Sequence, residues 1–275
     1  MAKSTAEFVL RPFQGLPGEA DWVSMREIVP SATAPARMTA EHGGEDVIVA
    51  TVLPGGWAAM RREDGTVLLG VQGVLNSDDL SRDLAAALLT AVEGEPGTGV
   101  LPEHLQVAAD GPRLQDVLDD SVPFEVTVHE GYDYWIDSSA EMTDEIKAGL
   151  DEAAAQSVPT VKLDGVDAAY WCRMSREFVR WARTEDEDRV VDAIARLHAK
   201  RDSGLAGGKF LGMFRACGLV VPVWELPRGT EADELTEPVQ DLSRRLEEAL
   251  AVEEPLDATQ RRARAGIVSR QVTLR

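Results

Sequence analysis

One internal repetition limits what this chain can fold into more than any other feature. Asp79-Leu80-Ser81-Arg82-Asp83-Leu84-Ala85-Ala86-Ala87-Leu88 returns as Asp241-Leu242-Ser243-Arg244-Arg245-Leu246-Glu247-Glu248-Ala249-Leu250, with seven of ten positions identical. Upstream, Met60-x-Arg62-x-x-Gly65-x-Val67 matches Met213-x-Arg215-x-x-Gly218-x-Val220. Further upstream, Trp22-x-x-Met25-Arg26-Glu27-x-Val29 matches Trp171-x-x-Met174-x-Arg176-Glu177-x-Val179 with one residue inserted. The offsets grow from 149 to 153 to 162, as loop insertions would make them. Similarity repeated in a fixed order marks a repeated supersecondary unit, here helix, hairpin and helix. The predicted class is α+β, with two pseudo-equivalent lobes, each a small antiparallel sheet with covering helices. Residues 1–100 form the first lobe. Residues 101–275 form the second, with an inserted segment near 113–160.

Local patterns fill in this frame. Residues 8–18 hold two prolines and two glycines and read as extended. Trp22, Met25 and Val29 then share a helical face, and Pro30 ends the helix. Residues 31–46 read as a long loop, and Val47–Leu53 as a strand. Asp64-Gly65 between two strand-like runs is a strong hairpin signal, because both residues tolerate positive φ. Ser77 is the expected N-cap of a helix buried through Leu80, Leu84, Ala87 and Leu88. The Gly- and Pro-rich stretch 93–112 is the expected boundary between halves. Beyond it come a short helix at Leu114–Leu118, a strand at Phe124–Val128, and a helix through Met142, Ile146 and Leu150 capped by Ser138 or Ser139. Pro159–Leu163 reads as a strand. The repeat then restarts with Trp171–Trp181 as a helix, and Thr184-x-x-Glu187 as the capping box of another. Phe210–Phe214 and Leu219–Leu226 form the second hairpin, and Pro222 implies an edge strand or a bulge. Thr236 and Pro238 open the last echoed helix.

The net charge of −20, from 48 acidic and 28 basic residues, opposes binding to polyphosphate. DNA is therefore not expected as a partner. The longest apolar run, near Leu219–Trp224, is too short to span a bilayer, and the N-terminus lacks a signal peptide's apolar core, so no membrane partner is expected and the location is read as cytoplasmic. Residues 261–275 hold five arginines and no acid, leaving about −25 on the other 260 residues. Arg262, Arg264 and Arg270 thus form a candidate contact. The favoured reading packs them on the acidic body, with Val268, Val272 and Leu274 buried; the other gives them an RNA or ribosome contact.

Signatures of a specific chemistry are few. His129-Glu130-Gly131-Tyr132-Asp133 starts like a zinc-protease helix but has Asp133 where the second histidine belongs. Gly204–Lys209 has the flavour of a phosphate loop but lacks its first glycine and the hydroxyl after the lysine. Cys172 and Cys217 lie 45 residues apart and four histidines are scattered singly, so no zinc spacing exists. No metal, cofactor or catalytic residue is assigned. Tyr132, Tyr134 and Trp135 form an aromatic cluster outside the repeated frame, beside acids, and are candidate partner-binding residues.

Arg11-Pro-Phe-Gln-Gly-Leu-Pro-Gly-Glu-Ala-Asp-Trp22, Asp110-Gly-Pro-Arg-Leu-Gln-Asp116, Pro159–Cys172 and Arg270-Gln-Val-Thr-Leu274 resemble an actinobacterial family of unknown function across nearly the whole chain. Many members resemble one another further in an N-terminal cysteine-rich zinc motif of the SEC-C type, which this chain, starting Met-Ala-Lys-Ser-Thr, lacks. The resemblance implies no activity. Taken together, the residues imply a non-enzymatic cytoplasmic protein-binding or adaptor protein. The alternative is an enzyme with a small-molecule site in a cleft between the lobes.

Overall fold

The computed structural model describes residues 8–73, 78–137 and 141–269, and the backbone of 272–273. It is a mixed α and β structure with two six-stranded sheets and, among the described residues, seven α-helices. Two compact units divide the chain, residues 1–157 and 158–275.

In the first unit, α1 (Glu19–Glu27) leads into β1 (Ala32–Arg37) and β2 (Asp46–Ala50). Next come β3 (Ala59–Arg61), β4 (Val67–Gly70), α2 (Leu80–Glu93), β5 (Thr98–Val100) and α3 (Leu114–Val117). The unit ends with β6 (Thr127–Val128) and α4 (Asp144–Ala155). Sheet order is β5-β3-β4-β2-β1-β6. The Asp64-Gly65 hairpin forms as the sequence predicts, with Gly65 at φ 84°. Strand β1 lies where a loop was expected. Its Ala-Thr-Ala-Pro-Ala-Arg run has weak strand propensity, and pairing with β2 overrides that. Pro35 fits because Met38 N–H and the Ala32 carbonyl bond toward β2, so alternation turns position 35 the other way, past the end of short β6.

Strand β4 is buried on both faces. Leu68 joins Ala50, Leu53 and Met60 in one cluster, so Val67 and Leu69 face the opposite side, where α2 packs. Leu84 and Leu88 of α2 are fully buried, each stabilising the unit by about 1.5–3 kcal/mol. Asp79 caps α2 by accepting the Ser81 N–H at 3.2 Å; Ser77 lies outside the described residues. Gly18, at φ 67°, precedes α1 where a Cβ would meet Phe124 at 3.1 Å, and Phe124 stacks on Trp22 at 4.4 Å. The expected second-lobe insertion 113–160 belongs mostly here, because β6 pairs with β1. The division falls after Ser157, not near residue 100. The Gly- and Pro-rich stretch is a crossing within one unit.

In the second unit, β7 (Thr160–Lys162), β8 (Ala169–Arg173) and β9 (Glu177–Trp181) form a meander before α5 (Glu187–Ala199). Then follow β10 (Lys209–Ala216), β11 (Leu219–Glu225), α6 (Thr236–Leu250), α7 (Ala258–Val268) and β12 (Val272–Thr273). Sheet order is β12-β10-β11-β9-β8-β7. Trp171–Trp181 is thus a β-hairpin and not a helix. Its aromatic and β-branched residues pair across strands, Trp171 opposite Val179, and that pattern outweighs the echo of α1. The cap of α5 is Asp186, accepting the Arg189 N–H at 3.1 Å, and not the Thr184 box. Pro222 lies in the central strand β11. Its missing N–H faces β9 and interrupts that ladder, which resumes only at the Arg183–Val220 bridge. The bulge sits on the other neighbour, β10, between Phe210 and Gly212.

Both units place a hairpin and then a helix where the sequence repeats. Five of the six strands in each sheet follow the same order, whereas the sixth is β6, last in its unit, in one and β7, first in its unit, in the other. The directions differ too: β2–β4 is parallel and β9–β11 antiparallel. Helix α5 causes the difference. It carries the chain back along the sheet before β10, whereas only a short turn at Pro54–Gly56 separates β2 from β3.

Candidate functional site

The second unit has a cleft at the end of its sheet. Strand β7 is the last strand, and Val161 pairs with Trp171, so their side chains share one face. Trp171 is buried in the core with Val179 and Trp224, but Val161 is 41 % exposed. The helical cover stops short of the edge strand. The resulting cleft, about 500 Å³, has Val161, Leu163 and Trp171 as apolar lining and Asp164, Glu231 and Asp233 as acidic lining, with Lys162 adding one positive charge.

The aromatic wall is fixed in place. The Trp171 Nε1–H donates to the Thr230 carbonyl at 3.0 Å, and the Arg173 guanidinium lies 5.0 Å from the ring centre. Arg173 also reaches Glu231 at 2.5 Å and Glu177 at 3.2 Å. Burial pushes the Glu177 carboxyl up, but the Gly229 backbone and Arg173 together hold it below the usual range. A flat indole beside carboxylates suits a cation carried on an aliphatic stem. The acids at 231–237 also offset the unsatisfied N–H groups where α6 begins, as α6 has no side-chain cap.

The predicted aromatic cluster lies in the first unit and faces inward. Tyr132 is buried and stacks on Trp135 at 4.7 Å. Trp135 Nε1–H and the Tyr134 hydroxyl both donate to the Val52 carbonyl, at 2.8 and 3.1 Å. Tyr134 and Trp135 stay half-buried against Ala50, Leu53, Met60 and Leu68. His129 completes the group, 2.8 Å from the Thr33 hydroxyl and 5.3 Å from the Tyr134 ring. Burial lowers its pKa, and Asp133 opposes that. Burial likewise raises the Tyr134 phenol and the Cys172 thiol, which suits packing rather than nucleophilic chemistry.

The C-terminal arginines separate. Arg264 reaches Asp192 at 2.7 Å and Asp188 at 2.5 Å, fastening α7 to α5. Arg262 is exposed, and Arg270 lies outside the described residues. Ile267 is fully buried while Val268 is 41 % exposed, so α7 docks through the residue next to the predicted one. The side chains of Val272 and Leu274 lie outside the described residues, although the 272–273 backbone pairs with β10.

The boundary after Ser157 divides the chain's net charge very unevenly. The first unit holds 28 acids and 9 bases, a net −19; the second holds 20 and 19, a net −1. Nearly all of the chain's net charge therefore sits on one unit. Helix α4 presents part of it, with Asp144, Glu145, Asp151 and Glu152 exposed and, of its own residues, only Leu150 buried.

Among the described residues, no cluster of three or more His, Cys, Asp or Glu is arranged to hold a metal ion, and no helix is long and apolar enough to cross a membrane. A family model described as a family of unknown function (DUF5926) matches residues 12–275, and the chain belongs to that family. No curated protein and no solved structure matches the chain.

Proposed function

We propose that this member of a family of unknown function is a non-enzymatic, cytoplasmic binding protein whose acidic first unit docks a basic protein partner. The concentration of net −19 on residues 1–157 carries the reading. A field of one sign steers an oppositely charged partner, raises the association rate and repels nucleic acid. Within that unit, the half-buried Tyr134 and Trp135 and the exposed acids of α4 supply both aromatic and anionic contacts. Gly131, beside the aromatic turn, and Ala154 of α4 come close enough that a Cβ at 131 would lie 3.7 Å from the alanine. The Arg262 side chain of the second unit is left for a separate, weaker contact. The same reading derives both units from one duplicated ancestor; seven identities in ten and the order shared by five of the six strands support it.

Affinity capture with the full chain, followed by mass spectrometry, tests the function. The expected partner has a basic surface, is lost as salt rises, and is retained poorly by the joint variant Asp144→Asn, Glu145→Gln, Asp151→Asn, Glu152→Gln. A partner held equally at high salt, or one protecting only the second unit from hydrogen exchange, would overturn the reading.

A further inference from the structure

The cleft of the second unit has no role in that proposal, and its geometry is that of an edge-strand receptor. Strand β7 ends the sheet, with β8 on one side and no described strand on the other. The Arg173 N–H bonds to the Pro159 carbonyl and the Leu163 N–H to the Ala169 carbonyl, so positions 159, 161 and 163 face β8. Alternation directs the Thr160 N–H and carbonyl toward the outer edge. A strand laid there would run alongside β7 and set every second side chain on the face of Val161 and Trp171, over the cleft.

We infer that an extended basic segment of a protein partner adds to β7 and places an arginine or lysine side chain in this cleft. The stem would lie on the exposed Val161, beside the largely buried Trp171, and the cation between Asp164 and Asp233, with Glu231 shared with Arg173. Arg173, stacked on Trp171 and paired to Glu231, shows within the chain that this wall and rim accept a guanidinium. Val161 is 41 % exposed on the cleft face, so every second side chain of an added strand would meet open apolar surface there. The inference rests on the proposed function only for the partner's charge.

The test uses the full chain and the capped pentapeptide Thr-Val-Arg-Val-Thr, followed through the Trp171 indole N–H resonance. The resonance should shift on titration. The citrulline analogue, isosteric but neutral, should bind about fivefold more weakly, the loss of roughly one exposed ion pair. Thr160→Pro removes one outward donor without touching the bonds to β8 and should abolish the shift. A peptide N-methylated on its pairing edge should do the same with the protein unaltered, so a folding defect in the proline variant does not decide the outcome. Binding that leaves the Trp171 signal in place, or equal affinity for the neutral or N-methylated peptide, would overturn the inference, as would no binding. Salt-sensitive capture of a basic partner that protects only the first unit would leave the proposed function standing and remove this one.

Discussion

The Ser81 hydroxyl accepts the backbone N–H of Leu114 at 3.0 Å and so ties the first turn of α2 to the start of α3. The same hydroxyl donates to Gln115 Oε1 at 2.6 Å, and the Gln115 amide donates to the Pro12 and Gln14 carbonyls at 2.8 and 3.0 Å. Arg11 and Glu19 pair beside them at 2.5 Å. Three stretches distant in sequence, 11–19, 79–83 and 110–116, are thus held together by the buried Ser81 and the half-buried Gln115. Much of the motif that carries the family resemblance maintains this knot. Ser81→Ala should leave the buried Leu114 N–H without an acceptor and cost about 1–3 kcal/mol. A lower urea midpoint at constant m value would show it; an unchanged midpoint would contradict the account.

The repeated helices differ in how they use equivalent leucines. Leu242 and Leu246 are both about 1 % exposed, whereas Leu84 is fully buried and Leu80 only half-buried. Leu246→Ala should therefore cost about 2–5 kcal/mol, and Leu80→Ala clearly less. Equal losses in chemical denaturation would mean that burial does not rank the two positions.

The C-terminal helix should depend on its apolar contact more than on its charges. Arg264 pairs with two carboxylates while a third exposed, and such pairs are worth about 0–1 kcal/mol each. Ile267→Ala, at a fully buried site, should cost about 2–5 kcal/mol and keep that cost in molar salt. If Arg264→Ala proved the more damaging at high salt, electrostatics would be the main fastening.

His129 should titrate below the ordinary value of 6.5, because burial disfavours the imidazolium more than Asp133 favours it. The folded pKa is then the lower one, so the unfolded chain takes up the proton first as pH falls. The associated stability is present above about pH 6.5 and is lost as pH drops through the folded pKa. Imidazole NMR should give a midpoint under 6.5, and His129→Asn should flatten the acid limb of the stability curve. A midpoint at or above that value would refute the burial argument.

The amino-acid sequence by itself determined the elements whose signals are local. The Asp64-Gly65 turn, the apolar stripe through Leu84 and Leu88, the Leu242 and Leu246 face and the 210–226 hairpin all follow from side-chain period and turn chemistry within one segment. It also contained the aromatic strand pattern of Trp171–Trp181, but the echo of α1 pointed to a helix. Only the tertiary structure decided that β6 returns to β1, which moves the boundary to Ser157 and gathers the net charge on the first unit. It alone turned Tyr132 inward, put Arg264 on α5, and left Val161 uncovered beside Trp171. The physical reason is range. Periodicity and φ preference act over a few residues, whereas strand partner, burial and exposure depend on which distant segment fills the neighbouring space, and identical residues in two repeats meet different neighbours.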